Sequence, residues 1–111
     1  MDLTPGEIYW ARPDPTVGRE QAGRRPVLVV SGRPYLATVH TLCLAVPITT
    51  TDRGWPNHVL LKGDTGLQGL SFAMTEQIRT ISRDRLAKHL GLVNPDSLAA
   101  VRRWITDFLE D

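Results

Sequence analysis

Four consecutive apolar residues, Val27-Leu28-Val29-Val30, follow directly on a polar run from Gly18 to Pro26 that carries three arginines. A short apolar run without alternation, bounded by turn-forming residues, reads as a strand buried on both sides. Pro26 fixes its own φ and biases the residue before it toward extended geometry, so Arg25 stands at a rigid boundary between loop and strand. A guanidinium held this way is a ready donor to phosphate or carboxylate. The loop itself fits an ordinary solvated connection equally well.

The remaining elements follow from periodicity and punctuation. Gly6 to Ala11 reads as a first strand with Ile8 and Trp10 on one face, stopped by Pro13 and Pro15. Gly32-Arg33-Pro34 turns the chain, and His40 to Val46 is a third strand closed by Pro47. His58 to Leu61 follows, then glycine-marked turns between Gly63 and Gly69 before Leu70 to Ala73. Thr75 to Ser82 alternates, with Glu76, Ile78 and Thr80 on one face and Gln77, Arg79 and Ile81 on the other. A turn over Ser82 to Arg85 leads to an extended piece near Leu90 to Val93. Asn94 then caps a helix with Pro95 at its first position and Asp96 at the positive end of the dipole. Leu98, Val101, Ile105 and Phe108, widened by Trp104 and Leu109, form the stripe that packs on the sheet. Short strands, close turns and one terminal helix predict a single domain over residues 1–111, a small antiparallel barrel with a C-terminal helix.

Composition narrows the class. A chain of 111 residues with 41% hydrophobic and 23% charged content matches an ordinary globular domain. No apolar stretch reaches membrane-spanning length, and Met-Asp-Leu-Thr-Pro lacks the basic and apolar parts of a signal peptide, so a cytoplasmic protein is expected. The single Cys43, between two leucines, rules out an internal disulfide and fits a small core residue. A net charge of +1 gives no global basic footprint of the kind usual for nucleic-acid binders. Charge is nonetheless uneven: residues 12–25 carry an excess of two positive charges, and residues 95–111 an excess of two negative ones.

Several chemistries have no motif here. The sequence contains no His-x-x-x-His, no Cys-x-x-Cys, no phosphate-cradling Gly-x-x-x-x-Gly-Lys and no Gly-x-Ser-x-Gly. His40, His58 and His89 lie far apart, whereas metal sites favour clustered ligands, so neither a metal nor any other cofactor is expected. The polar candidates left are at strand ends: Arg25 before the second strand, Thr49 after the third, Glu76 and Gln77 opening a later one. Thr49 fits a turn hydroxyl as readily as a functional one.

In order along the chain, Gly6-Glu7-Ile8-Tyr9, Asp14-Pro15, Gly18-x-Glu20-Gln21-x-Gly23-x-Arg25-Pro26, Val46-Pro47-Ile48-Thr49, Trp55-Pro56-x-His58-Val59 and Glu76-Gln77-Ile78-Arg79-Thr80-Ile81 resemble the MazF/PemK family of bacterial toxin endoribonucleases. The resemblance covers nearly the whole chain, and its two Glu-Gln elements together are specific. It implies an SH3-like barrel with a C-terminal helix, related to the CcdB/MazF fold and assembled as a homodimer. It further implies metal-independent cleavage of single-stranded RNA, usually mRNA, and a cognate acidic, MazE-like antitoxin that blocks the RNA groove. The family's catalytic positions fall on Arg25 and Thr49, and its RNA-binding positions on Arg19, Glu20, Gln21, Glu76 and Gln77. Arg19 departs from the serine common there, placing a long cation beside the scissile site. Residues 33–40 lack a close match, so base specificity does not carry over.

Metal-free RNA cleavage uses the substrate's own 2′-hydroxyl as nucleophile. Arg25 suits neutralisation of the crowded phosphorane, because a guanidinium stays protonated at physiological pH and its fork grips two oxygens. Thr49 suits a hydrogen bond to a non-bridging oxygen. Glu20, the nearest carboxylate in sequence to Arg25, would be held ionised and so fits substrate positioning ahead of proton abstraction. Two other readings fit the same fold, since function resides in the site: a CcdB-like toxin that binds gyrase without nuclease chemistry, and an interaction module without activity. Trp55 and Trp104 are the candidate aromatic anchors of a dimer.

Overall fold

The computed structural model describes residues 2–12 and 24–111. Over these the chain forms β1 (Glu7–Ala11), β2 (Arg25–Val29), α1 (Arg33–Thr38), β3 (Leu42–Thr49), β4 (His58–Leu60), β5 (Gly63–Asp64), β6 (Phe72–Met74), β7 (Arg79–Ser82), β8 (Leu86–Val93) and α2 (Pro95–Phe108). Every pairing is antiparallel, in the order β4-β6-β3-β2-β1-β8-β5, with β7 also on β3. The long β3 holds β2 on one side and, on the other, β7 and then β6, so the sheet curls around it into a half-barrel. This is the mainly-β architecture with a terminal helix that the sequence predicts.

The uninterrupted apolar run of β2 is buried on both sides, as its pattern requires. Val27 and Val29 join Tyr9, Cys43, Ala45, Ile81 and Leu86 in one cluster, which Leu36 of α1 helps cover. Leu28 and Val30 join Ile8, Val46, Ile48, Ala73 and Val101 in the other, under α2. Strand alternation assigns successive residues to opposite clusters, and Leu28 and Val29 are both fully buried. Truncating such a residue to alanine costs about 2–5 kcal/mol.

Pro47 lies inside β3 instead of ending it. Leu44 bonds toward the β2 side, where its carbonyl accepts from Val30, so alternation turns the Pro47 nitrogen to the other side. There β7 pairs only as far as Ala45 and β6 begins at Ile48. The missing donor falls in the gap between two partner strands, where no ladder bond is lost.

Three further expectations are corrected. Gly32-Arg33-Pro34 opens the short helix α1, with proline in its first turn where no N–H is needed. Its far end is secured from a distance: the Arg83 guanidinium donates to the carbonyls of Leu36, Val39 and Leu42 at 2.7, 2.8 and 3.0 Å. Thr75 to Ser82 is not one strand, because Thr75–Gln77 forms a 3-10 turn before β7. Ile78 is consequently exposed while Ile81 is buried. The last strand starts at Leu86, four residues earlier than its apolar part, where it pairs with Ala11 of β1; register shifts along that pairing interrupt the alternation that would have marked it.

Helix α2 begins as predicted, with Asn94 Oδ1 accepting from the Ser97 N–H at 2.8 Å. Its cap is sewn to the strands by the Asn94 N–H on Lys62 O at 2.8 Å and the Lys62 N–H on Ser97 Oγ at 3.0 Å. Val101 is fully buried, but the apolar stripe stops short of the C-terminus: Phe108 and Leu109 are 49% and 82% exposed.

Candidate functional site

Arg25 is the first residue of β2 and Thr49 the last of β3. These strands pair Val27 with Pro47, Leu28 with Val46 and Val29 with Ala45. Carried two residues further, that register sets Arg25 level with Thr49, and level residues on neighbouring antiparallel strands have Cβ atoms about 5 Å apart. Arg25 is exposed, and among the described residues its guanidinium has no hydrogen-bond or ion-pair partner. The Thr49 hydroxyl accepts from the Thr51 N–H at 3.1 Å, so it does form the local turn contact open from sequence. Its own proton remains free for an external acceptor.

Both residues line one cleft of about 530 Å3, together with Trp10, Pro26, Ile48, Thr50, Gly66, Leu67, Gln68, Ser71 and Leu90. Arg25-Pro26 and Ile48-Thr49 are consecutive pairs, so the cleft runs over the ends of β2 and β3 and takes residues from both faces. Its far wall is held rigidly. Gly66 has φ +70°, and a Cβ there would collide with the Leu90 carbonyl. At Gly91 a Cβ would run into the backbone of Asp64 and Thr65. Two glycines thus let the 63–69 segment press onto β8, and β5 locks it there by pairing Gly63 with Val93 and Asp64 with Leu92.

Glu76 and Gln77 do not line this cleft. They sit on the 3-10 turn beyond β6, while Thr49 pairs with Phe72 at that strand's start. Both Glu76 carboxylate oxygens lie against His58 Nε2, at 3.0 and 3.1 Å, and Asn57 Nδ2 donates to Oε1 at 2.8 Å. Beneath them the fully buried Thr75 donates to the Asn57 carbonyl at 2.7 Å. Burial favours the neutral form of Glu76, but hydrogen bonds from His58, its own N–H and Asn57, with the His58 charge, outweigh it and lower the carboxyl below its usual value. His58, at the start of the edge strand β4, is therefore a buried anchor of the 50–57 loop, with the Trp55 ring tilted against it at 4.8 Å between ring centroids. Arg19, Glu20 and Gln21 lie outside the described residues.

The other single candidates resolve simply. Cys43 is fully buried, and burial pushes its thiol up to about 11 with only partial relief from Arg83, so it is a core residue and not a nucleophile. His40 Nε2 meets the Ala37 carbonyl at 2.6 Å, and His89 pairs with Glu7 at 3.0 Å. Among the described residues no group of three or more His, Cys, Asp or Glu side chains could hold a metal ion, and no helix is long and apolar enough to cross a membrane. Sequence reasoning missed Trp10, Gln68, Ser71 and Leu90 as cleft residues. Only the close-set glycines between Gly63 and Gly69 hinted that a constrained loop lay there.

The chain is similar throughout to proteins of one kind. Residues 4–109 match the family described as PemK-like, MazF-like toxin of type II toxin-antitoxin system. The endoribonuclease toxin MazF of Escherichia coli K12 is 37% identical over 102 residues, 90% of this chain and 87% of that protein. Endoribonuclease MazF9 of Mycobacterium tuberculosis is 38% identical over 100 residues, 85% of each chain. Among solved structures, MazF of Deinococcus radiodurans superposes with a TM-score of 0.77 at 32% identity, covering 98% of this chain and 97% of that one. A MazE-MazF complex from the same organism gives 0.80 at 32% identity, covering 98% and 96%. With the family matched over almost its whole length and relatives of this identity, the chain belongs to the PemK-like, MazF-like toxins of type II toxin-antitoxin systems.

Proposed function

We propose that this MazF-family endoribonuclease cuts single-stranded RNA, chiefly mRNA, at short sequences and without a metal ion. The observation that carries the reading is the shared cleft of Arg25 and Thr49, a cation and a hydroxyl at facing strand ends. The substrate's 2′-oxygen attacks the adjacent phosphorus as its proton leaves to a base. The bond to the 5′-oxygen breaks, and that oxygen takes up a proton. The products are a 2′,3′-cyclic phosphate and a 5′-hydroxyl. Arg25 neutralises the phosphorane through two parallel hydrogen bonds, and Thr49 donates to a non-bridging oxygen.

Arg19, Glu20 and Gln21 contact the RNA flanking the cut, Glu20 chiefly as a positioning group. Gln77 extends the path along the turn beyond β6. Glu76 acts through His58 and Asn57, since its carboxylate is already committed to them. An antitoxin with an acidic, flexible segment competes with RNA phosphates for the same arginines, so its association slows with added salt. The toxin is a homodimer in the cytoplasm.

Mapping cleavage ends on a mixed RNA pool in excess chelator tests this. Discrete cuts leaving cyclic phosphate ends are expected. Dependence on added divalent ions would contradict the chemistry. Uncut RNA together with undisturbed cell-free translation would exclude the ribonuclease and favour a gyrase-binding toxin.

A further inference from the structure

Arg25 and Thr49 account for only part of the cleft they share. The rest combines apolar side chains, Trp10 with Leu67 and Leu90, and a free polar side chain, Gln68. Its volume of about 530 Å3 lies within the range of sites that enclose one small organic ligand. The three tryptophans differ in a telling way. Trp55 packs on His58 and Trp104 on Phe108, whereas half-buried Trp10 has no ring partner among the described residues. Gln68 is exposed and its amide makes no hydrogen bond there, yet its backbone rides on the segment that Gly66 and Gly91 pin to β8. Lys88, register partner of Trp10 on β8, is exposed just outside the cleft lining.

We propose that this part of the cleft is a nucleobase site, in which one unpaired base next to the cut stacks on Trp10 and has its edge read by Gln68. The inference rests on the RNA-cleaving reading and adds a specificity determinant to it. An indole face accepts any base, because every base has a π-face, so Trp10 contributes affinity. A carboxamide offers one donor and one acceptor in fixed relation and can match only some base edges, so Gln68 contributes choice. The pinned backbone fixes the point from which the amide reaches, so RNA binding has only the side chain left to order.

The test uses cleavage-site mapping on a randomised RNA and binding of an uncleavable oligonucleotide with 2′-deoxy substitution at the cut. Gln68→Glu, which replaces the donor half of the amide, is expected to change the preferred base at one position beside the cut and keep the preferences elsewhere. Trp10→Leu is expected to weaken binding about 5- to 150-fold, with Trp10→Phe recovering most of the loss. Wild-type enzyme that cuts RNA, with both variants retaining its base preference and affinity, would overturn the base site alone. Wild-type enzyme that leaves RNA intact would overturn the ribonuclease reading and this inference with it. Because Gln68 is exposed, its variant reports on recognition even should Trp10→Leu fail to fold.

Discussion

Arg25 and Thr49 stand at the facing ends of adjacent antiparallel strands, level in the register that pairs Val27 with Pro47. Each lies on a strand, so backbone ladders hold both. The Arg25 end is also tied to β1 by pairing with Ala11. The Thr49 end is tied to β6 by pairing with Phe72. A site built on such strand ends keeps its geometry before substrate arrives, which is what transition-state stabilisation requires.

Thr49→Val keeps the shape of the side chain and removes its donor. Turnover of a cleavable oligonucleotide is expected to fall about 10²- to 10³-fold, the usual cost of one oxyanion-type donor, with KM little changed. Thr49→Ser is expected to recover much of the rate. Equal turnover by valine and threonine enzymes would leave Thr49 with its turn bond to Thr51 as its whole role.

Glu76 ties acid sensitivity to the 50–57 loop. Its carboxyl is lowered in the folded protein from an ordinary 4.5. A lowered folded value means that the ionised network stabilises the fold above the ordinary value, and that this contribution fades as the pH falls through the folded one. Glu76→Gln is therefore expected to melt below wild type at neutral pH, with the gap narrowing as the pH is taken below the ordinary carboxyl value of 4.5. A gap independent of pH would show that the Glu76 charge adds nothing to the anchor.

Gly66 and Gly54 separate two costs of losing a glycine. Both have positive φ, +70° and +72°, but a Cβ at Gly54 meets open space while one at Gly66 strikes the Leu90 carbonyl. Gly54→Ala is expected to cost about 1–2 kcal/mol, the penalty of left-handed backbone alone. Gly66→Ala is expected to cost more and also to weaken RNA binding, because the segment carrying Gln68 must move off β8. Thermal melts of both variants, with RNA binding measured alongside, check this. Equal destabilisation would mean that the close approach at Leu90 relaxes freely.

Much of this arrangement was legible in the amino-acid order, for identifiable reasons. The run Val27 to Val30 declared a strand covered on both sides, and Asn94-Pro95-Asp96 declared a helix start, because each signal is local. Arg25 was legible because Pro26 marks where loop becomes strand. What escaped depended on distant partners. The helix over Arg33–Thr38 ends on a guanidinium supplied by Arg83. Pro47 is tolerated inside β3 only because β7 stops where β6 has not yet begun. Glu76 reads from sequence as an RNA-binding position, and its hold on His58 and Asn57 shows only in the structure. Trp10 and Gln68 reach one cleft through the pairing of β1 with β8 and the clamp at Gly66, neither of which sequence spacing encodes.

Arg25→Ala tests the central claim most directly, with RNA cleavage and thermal melting measured on the same preparation. Arg25 is exposed and free of protein partners among the described residues, so the melting temperature is expected to stay within a few degrees of wild type. Cleavage is expected to fall at least about 10²- to 10³-fold. A folded Arg25→Ala protein that cuts RNA at the wild-type rate would contradict the account.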